Sequence, residues 1–182
     1  MNRVFPLCLF AGMLLLGTFS CKEKKKSDDI IVTKYVAAEP TAPIRLSNDV
    51  RRTDVKWLNS FYTVTIRRTA ADSLPKLKDD TGQEYVDNIV AVTVQRSDST
   101  VLLKKTFTKE SFSSYVADNF RSQGFLENII VQGVEGDFLK LGVSITRAGD
   151  EDAFVPLDIL IDRMGGMRIR EGRLFEASDK QP

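Results

Sequence analysis

From residue 55 onward, apolar and polar side chains alternate with a period of two, as in strands that bury one face. In 61–68, Tyr62, Val64 and Ile66 fall on one side, with Phe61, Thr63, Thr65 and Arg67 on the other. A short strand over 55–58 precedes it, joined by a turn at Asn59-Ser60. Residues 89–95 align Val90, Val92 and Val94, and 101–107 returns after the polar segment 96–100, which predicts a hairpin. Residues 126–134 form the next strand, ending in a turn at Glu135-Gly136-Asp137. In 138–147, Leu139, Leu141, Val143 and Ile145 share a face. In 153–162, Val155, Leu157, Ile159 and Ile161 lie opposite Asp158 and Asp162. Gly165-Gly166 turns the chain into 167–170.

The period changes once. Thr108 suits a helix N-cap, with Glu110 in the first turn. Phe112, Tyr115, Val116 and Phe120 then make one helical stripe, and Gly124 suits the stop. One helix over 108–123 is therefore predicted, its stripe packed on the sheet. One-sided alternation needs a cover. The expected fold is mainly β (α+β), spanning 49–175. It is an antiparallel curved sheet, an incomplete barrel or a sandwich, with one helix packed on it. The first two are preferred. Residues 69–87 read as a polar loop, and 176–182 as a disordered tail.

Residues 1–20 have a different pattern: Arg3, then an apolar stretch, then Thr18-Phe19-Ser20 before Cys21. A basic start, an apolar middle and a small residue, Ser20, before a cut site describe a secretory signal peptide, although bulky Phe19 precedes it. The cysteine directly after it resembles a bacterial lipoprotein signal, with Cys21 the lipidated residue. The usual box carries Leu where Thr18 stands. Residues 21–48 read as the lipidated cysteine and a flexible tether, rich in charge and then in proline, with a reach of roughly 30 Å.

Composition narrows the chemistry. The 182 residues include no histidine and two cysteines, and 26 basic against 25 acidic residues give +1. Without histidine there is no Ser-His-Asp triad and no imidazole ligand. If the leader is cut and Cys21 carries lipid, no thiol remains for catalysis. The balanced charge argues against a nucleic-acid partner. No Gly-rich phosphate loop occurs, and no cofactor, metal or catalytic residue is assigned.

The remaining candidates are acidic. Asp80-Thr81-Gly82 is the short signature of aspartic proteases, but it stands in a polar loop, and there is no second copy. A turn is the simpler reading. Asp79, Asp80, Glu84 and Asp87, or Asp150, Glu151 and Asp152, have the oxygen chemistry of a calcium loop without EF-hand spacing. Solvated acids are the default. Trp57 is expected in the core rather than in a cleft. The pairs Arg51-Arg52 and Arg67-Arg68 are expected to be ion-paired or solvated.

Several blocks carry a resemblance. They are Cys21-Lys22-Glu23-Lys24-Lys25-Lys26 and Asp54-Val55-Lys56-Trp57, through Asp72-Ser73-Leu74-Pro75 to Asp79-Asp80-Thr81-Gly82-Gln83. Thr106-Phe107-Thr108-Lys109 and Arg163-Met164-Gly165 complete them. Together they resemble an uncharacterised family of Bacteroides and Prevotella lipoproteins, domain of unknown function 4738. The resemblance implies lipidation at Cys21 and brings no catalytic residues.

The expected function is that of a non-enzymatic binding or accessory lipoprotein of the bacterial cell envelope. Its anchor would lie in the outer membrane, on the periplasmic face or the cell surface. The expected partners are the membrane, through the lipid, and an envelope protein or small ligand. The alternatives are a carboxylate-dependent hydrolase, with Asp80 or its neighbours in a cleft, and a structural accessory subunit of an envelope complex.

Overall fold

The eight alternating segments become eight of the ten strands in the computed structural model, which describes residues 41–172. In chain order these are β1 (Asp49–Trp57), β2 (Ser60–Ala70), β3 (Leu77–Lys78), β4 (Glu84–Tyr85), β5 (Asn88–Arg96) and β6 (Val101–Phe107). A 3-10 helix (Lys109–Tyr115) and α1 (Asp118–Gln123) follow. The chain continues through β7 (Gly124–Glu135), β8 (Phe138–Arg147), β9 (Asp150–Ile161) and β10 (Met167–Glu171).

The long strands form two four-stranded antiparallel sheets, ordered β1-β2-β5-β6 and β10-β9-β8-β7. The small hairpin β3-β4 lies within the segment read as loop 69–87. Each large sheet turns its apolar face to one shared core. Val64, Ile66, Val90, Val92 and Val94 come from the first sheet, and Leu126, Leu141, Ile145, Leu157 and Ile159 from the second. Each such side chain contributes about 1.5–3 kcal/mol on burial. The cover that alternation demanded is thus a second sheet, so the sandwich describes the fold better than one curved sheet or an incomplete barrel. Trp57 lies in this core, 1% exposed. Its indole N–H donates to the Asp137 carbonyl at 3.0 Å, tying the end of β1 to the β7–β8 turn.

The first turn sits one residue earlier than expected. Leu58 and Asn59, with φ of 49° and 60°, form the two-residue connection, and Trp57 pairs with Ser60. Two left-handed residues match the twist of a tight hairpin. The register that buries Trp57, Tyr62 and Val64 together leaves only those two positions for it.

The predicted single helix over 108–123 is broken. Val116 (φ −123°, ψ 147°) and Ala117 are extended between the 3-10 helix and α1. Phe112 stacks on Phe107 at 5.7 Å in the core, Val116 is also buried, and Tyr115 is left 41% exposed. Helical pieces this short are held by packing rather than by propensity. Here packing inserts Phe112 and Val116 separately. Gly124 caps α1 with φ of −79°, not left-handed. It is glycine because a Cβ there would lie 2.4 Å from the Phe120 carbonyl oxygen.

The end of the stretch read as tether is fastened to the domain. The Ile44 N–H donates to the Glu84 carbonyl and its own carbonyl accepts from Val86, both at 2.8 Å. Arg45 pairs with Asp72, and Asn48 Oδ1 accepts the Ala70 N–H. The expected signal peptide 1–20, Cys21, the tether as far as residue 40 and the tail 176–182 lie outside the described residues.

Candidate functional site

β7 departs from regular pairing twice. Its register with β8 shifts between Leu126 and Asn128, and again between Val131 and Gly133, where φ is +117°. The extra residues are Glu127 and Gln132. A bulge bends its strand and re-aims a side chain. Both side chains here line a groove on the outer face of the second sheet, away from the core.

The floor of this groove is Gly142, which pairs with Ile130 on one side and Asp158 on the other. The Gln132 side chain lies over it, with Nε2 only 2.2 Å from where a Cβ would stand. The groove encloses about 390 Å³. Ile130, Phe154 and Pro156 supply apolar wall, and Glu127, Asn128, Ser144 and Asp158 supply polar groups.

Glu127 Oε2 accepts the Ser144 hydroxyl at 2.9 Å and the Thr146 hydroxyl at 2.6 Å. No described Lys or Arg forms an ion pair with it. The Gln132 Oε1 is buried and has no hydrogen-bond partner among the described residues.

Asp158 lines this groove and an adjoining charged cleft with Glu135, Lys140, Arg170 and Glu171. It is 2% exposed. Lys140 Nζ lies 3.0 Å from its carboxylate, and Arg170 donates through Nε and Nη2 at 3.2 and 3.1 Å. Arg170 also reaches Glu135 at 2.8 Å. That guanidinium holds the Glu135 carboxyl below the usual carboxylate range, with Lys140 adding to the effect, and Arg170 is itself pushed up by the two acids.

The acids singled out in the sequence do not converge. Asp80 pairs with Arg147 at 2.6 Å and accepts from Gln123 at 3.0 Å. Asp79 Oδ1 accepts from the Thr81 N–H and hydroxyl and from the Gln83 N–H, which makes Asp-Thr-Gly a capped turn. Those bonds, the Thr81 hydroxyl first, hold the Asp79 carboxyl below its usual value. Glu84 pairs with Lys76, and Asp150 caps its own loop through the Asp152 and Ala153 N–H groups. Asp87 turns inward. Among the described residues, no three His, Cys, Asp or Glu side chains are placed to hold a metal ion. Arg51 pairs with Asp49, and Arg68 donates to the Glu127 and Ser47 carbonyls.

Sequence reasoning missed Glu127 and Gln132. Their signal was a fault in the alternation: Leu126-Glu127-Asn128-Ile129-Ile130-Val131-Gln132 fits no strict period of two. Asp158 was visible only as a polar residue on the reverse face of its strand.

The model of the family described as Domain of unknown function (DUF4738) matches residues 29–169. No curated protein matches the chain.

Proposed function

We propose that this chain, which belongs to the DUF4738 family, is a lipid-anchored cell-envelope protein whose domain binds a small ligand without transforming it. The observation that carries the binding role is the bulge-built groove around Gly142, with apolar walls and a few placed polar groups, the usual form of a ligand site. Its volume suits a small molecule.

The non-enzymatic reading is supported by how the buried carboxylates are used. Asp87 accepts two backbone N–H groups, and Asp158 is committed to Lys140 and Arg170. Neither is left with a substrate-facing role as a paired acid and base. Asp80, the residue of the hydrolase alternative, is held by Arg147.

The anchoring role rests on the signal pattern before Cys21. The outer membrane is its expected site. Cys21→Ala is expected to release the protein from the membrane or to leave it unprocessed. Normal cleavage and membrane retention in that variant would refute the assignment. For the groove, Gly142→Phe is expected to abolish ligand binding by filling the floor while the core, on the other face, stays intact.

A further inference from the structure

We infer that the groove takes a cation: a primary ammonium carried on an apolar body, seated against Glu127. This rests on the groove being a binding site. Glu127 enters the groove through a bulge, and only one of its oxygens is engaged, by Ser144 and Thr146. Both hydroxyls donate their protons to Glu127, so the Ser144 oxygen, which lines the groove, presents lone pairs there. Gln132 Oε1 adds a further acceptor without a partner. The wall at this point offers the free Glu127 oxygen and the Ser144 hydroxyl oxygen as acceptors, and an ammonium offers three donors.

Charge points the same way. Lys140 and Arg170 are committed to Asp158 and Glu135 at the far end. Arg68 gives its guanidinium to the backbone carbonyl of Glu127, not to the carboxylate. Glu127 thus has no counter-ion among the described residues, beside the apolar side chains Ile130, Pro156 and Phe154. Phe154, 40% exposed, also offers a ring face to a cation. An anion would meet Glu127 with Lys140 and Arg170 already committed to acids and Arg68 to backbone carbonyls.

The test titrates the full chain with hexylammonium, hexanol and hexanoate, following the amide resonances of Ile130, Ser144 and Phe154. Hexylammonium is expected to bind saturably, with hexanoate at least about tenfold weaker, as for loss of a charge-assisted hydrogen bond. Glu127→Gln keeps an acceptor for both hydroxyls. It is expected to weaken hexylammonium by about tenfold and to leave hexanol unchanged. In the native chain, raising salt from about 50 to about 500 mM should weaken hexylammonium more than hexanol. This arm decides the matter should the variant fail to fold. Equal binding of ammonium and carboxylate, or an affinity indifferent to both Glu127 and salt, overturns the cation and leaves the groove a binding site. No shift with any of the three probes overturns both.

Discussion

The side chain of Asp87 accepts the backbone N–H of Leu126 at 2.9 Å, across the gap between the two sheets. Asn88 completes the link: its amide donates to the Leu126 carbonyl at 2.8 Å. Two consecutive side chains, Asp87 just before β5 and Asn88 at its start, thus pair both backbone groups of one residue in β7, as a neighbouring strand would. Asp87→Ala strips the Leu126 and Asn88 N–H groups of a partner. Each buried orphan costs about 1–3 kcal/mol. A loss in that range or above is expected in urea unfolding, and an unchanged midpoint would remove the link from the account of stability.

Burial pushes the Asp87 carboxyl above its ordinary 3.8, against the opposing pull of two N–H groups and Lys109. The sign follows from linkage. A raised acid contributes stability fully below its unfolded value and loses it as pH rises through the folded value. Asp87→Asn keeps the acceptor and removes the titration. The stability of the native chain relative to this variant should therefore fall as pH rises from about 3 to about 7. A difference that is flat across that window would contradict a raised carboxyl.

Asp158 holds two cations, so the loss of one is buffered by the other. Lys140→Ala and Arg170→Ala are each expected to be mild. The double variant leaves a buried charge unpaired, a change that costs about 3–5 kcal/mol in fully buried pairs and somewhat less here because both cations are partly exposed. A double-mutant cycle should show a loss greater than the sum. Arg170→Ala should also let the Glu135 carboxyl rise toward its usual range in an NMR titration. Glu135 favours the folded state above its unfolded value, and that contribution is lost as pH falls through the lowered one.

Two glycines should respond differently to a methyl group. At Gly124 the obstacle is the Phe120 carbonyl oxygen, 2.4 Å away, which is backbone and cannot step aside. At Gly142 it is the end of the Gln132 side chain, which can. Gly124→Ala should cost about 1–3 kcal/mol, and Gly142→Ala less. Thermal unfolding that ranks them in reverse would contradict these contacts.

The broken helix makes a similar contrast. Phe112→Ala empties a fully buried site stacked on Phe107 and should cost about 3–5 kcal/mol. Tyr115→Ala removes an exposed ring and should stay within about 0.5 kcal/mol. An unbroken helix with the stripe turned inward would make both costly, so comparable losses would restore that reading.

Most of the fold was legible because alternation is a local signal. The faces of β2, β5 and β8 follow residue by residue from Tyr62-Val64-Ile66, Val90-Val92-Val94 and Leu139-Leu141-Val143-Ile145. Helical spacing misled at 108–123. The stripe from Phe112 to Phe120 is a local pattern, whereas the depth of the Phe107 pocket is not. The docking of Ile44 beside Tyr85 was equally hidden, since a single bridge leaves no periodicity behind.

By itself the sequence determined the strand faces, the absence of imidazole chemistry and the signal-like pattern before Cys21, since each is written in residue type and spacing. The tertiary structure alone decided that a second sheet covers the first. It also decided that two bulges bring Glu127 and Gln132 to one groove, and that Asp80 is tied up while Asp158 is buried. The physical reason is that a carboxylate's role depends on its neighbours in space. Cross-strand register, not chain order, sets Ser144 and Thr146 against Glu127, and Lys140 and Arg170 against Asp158.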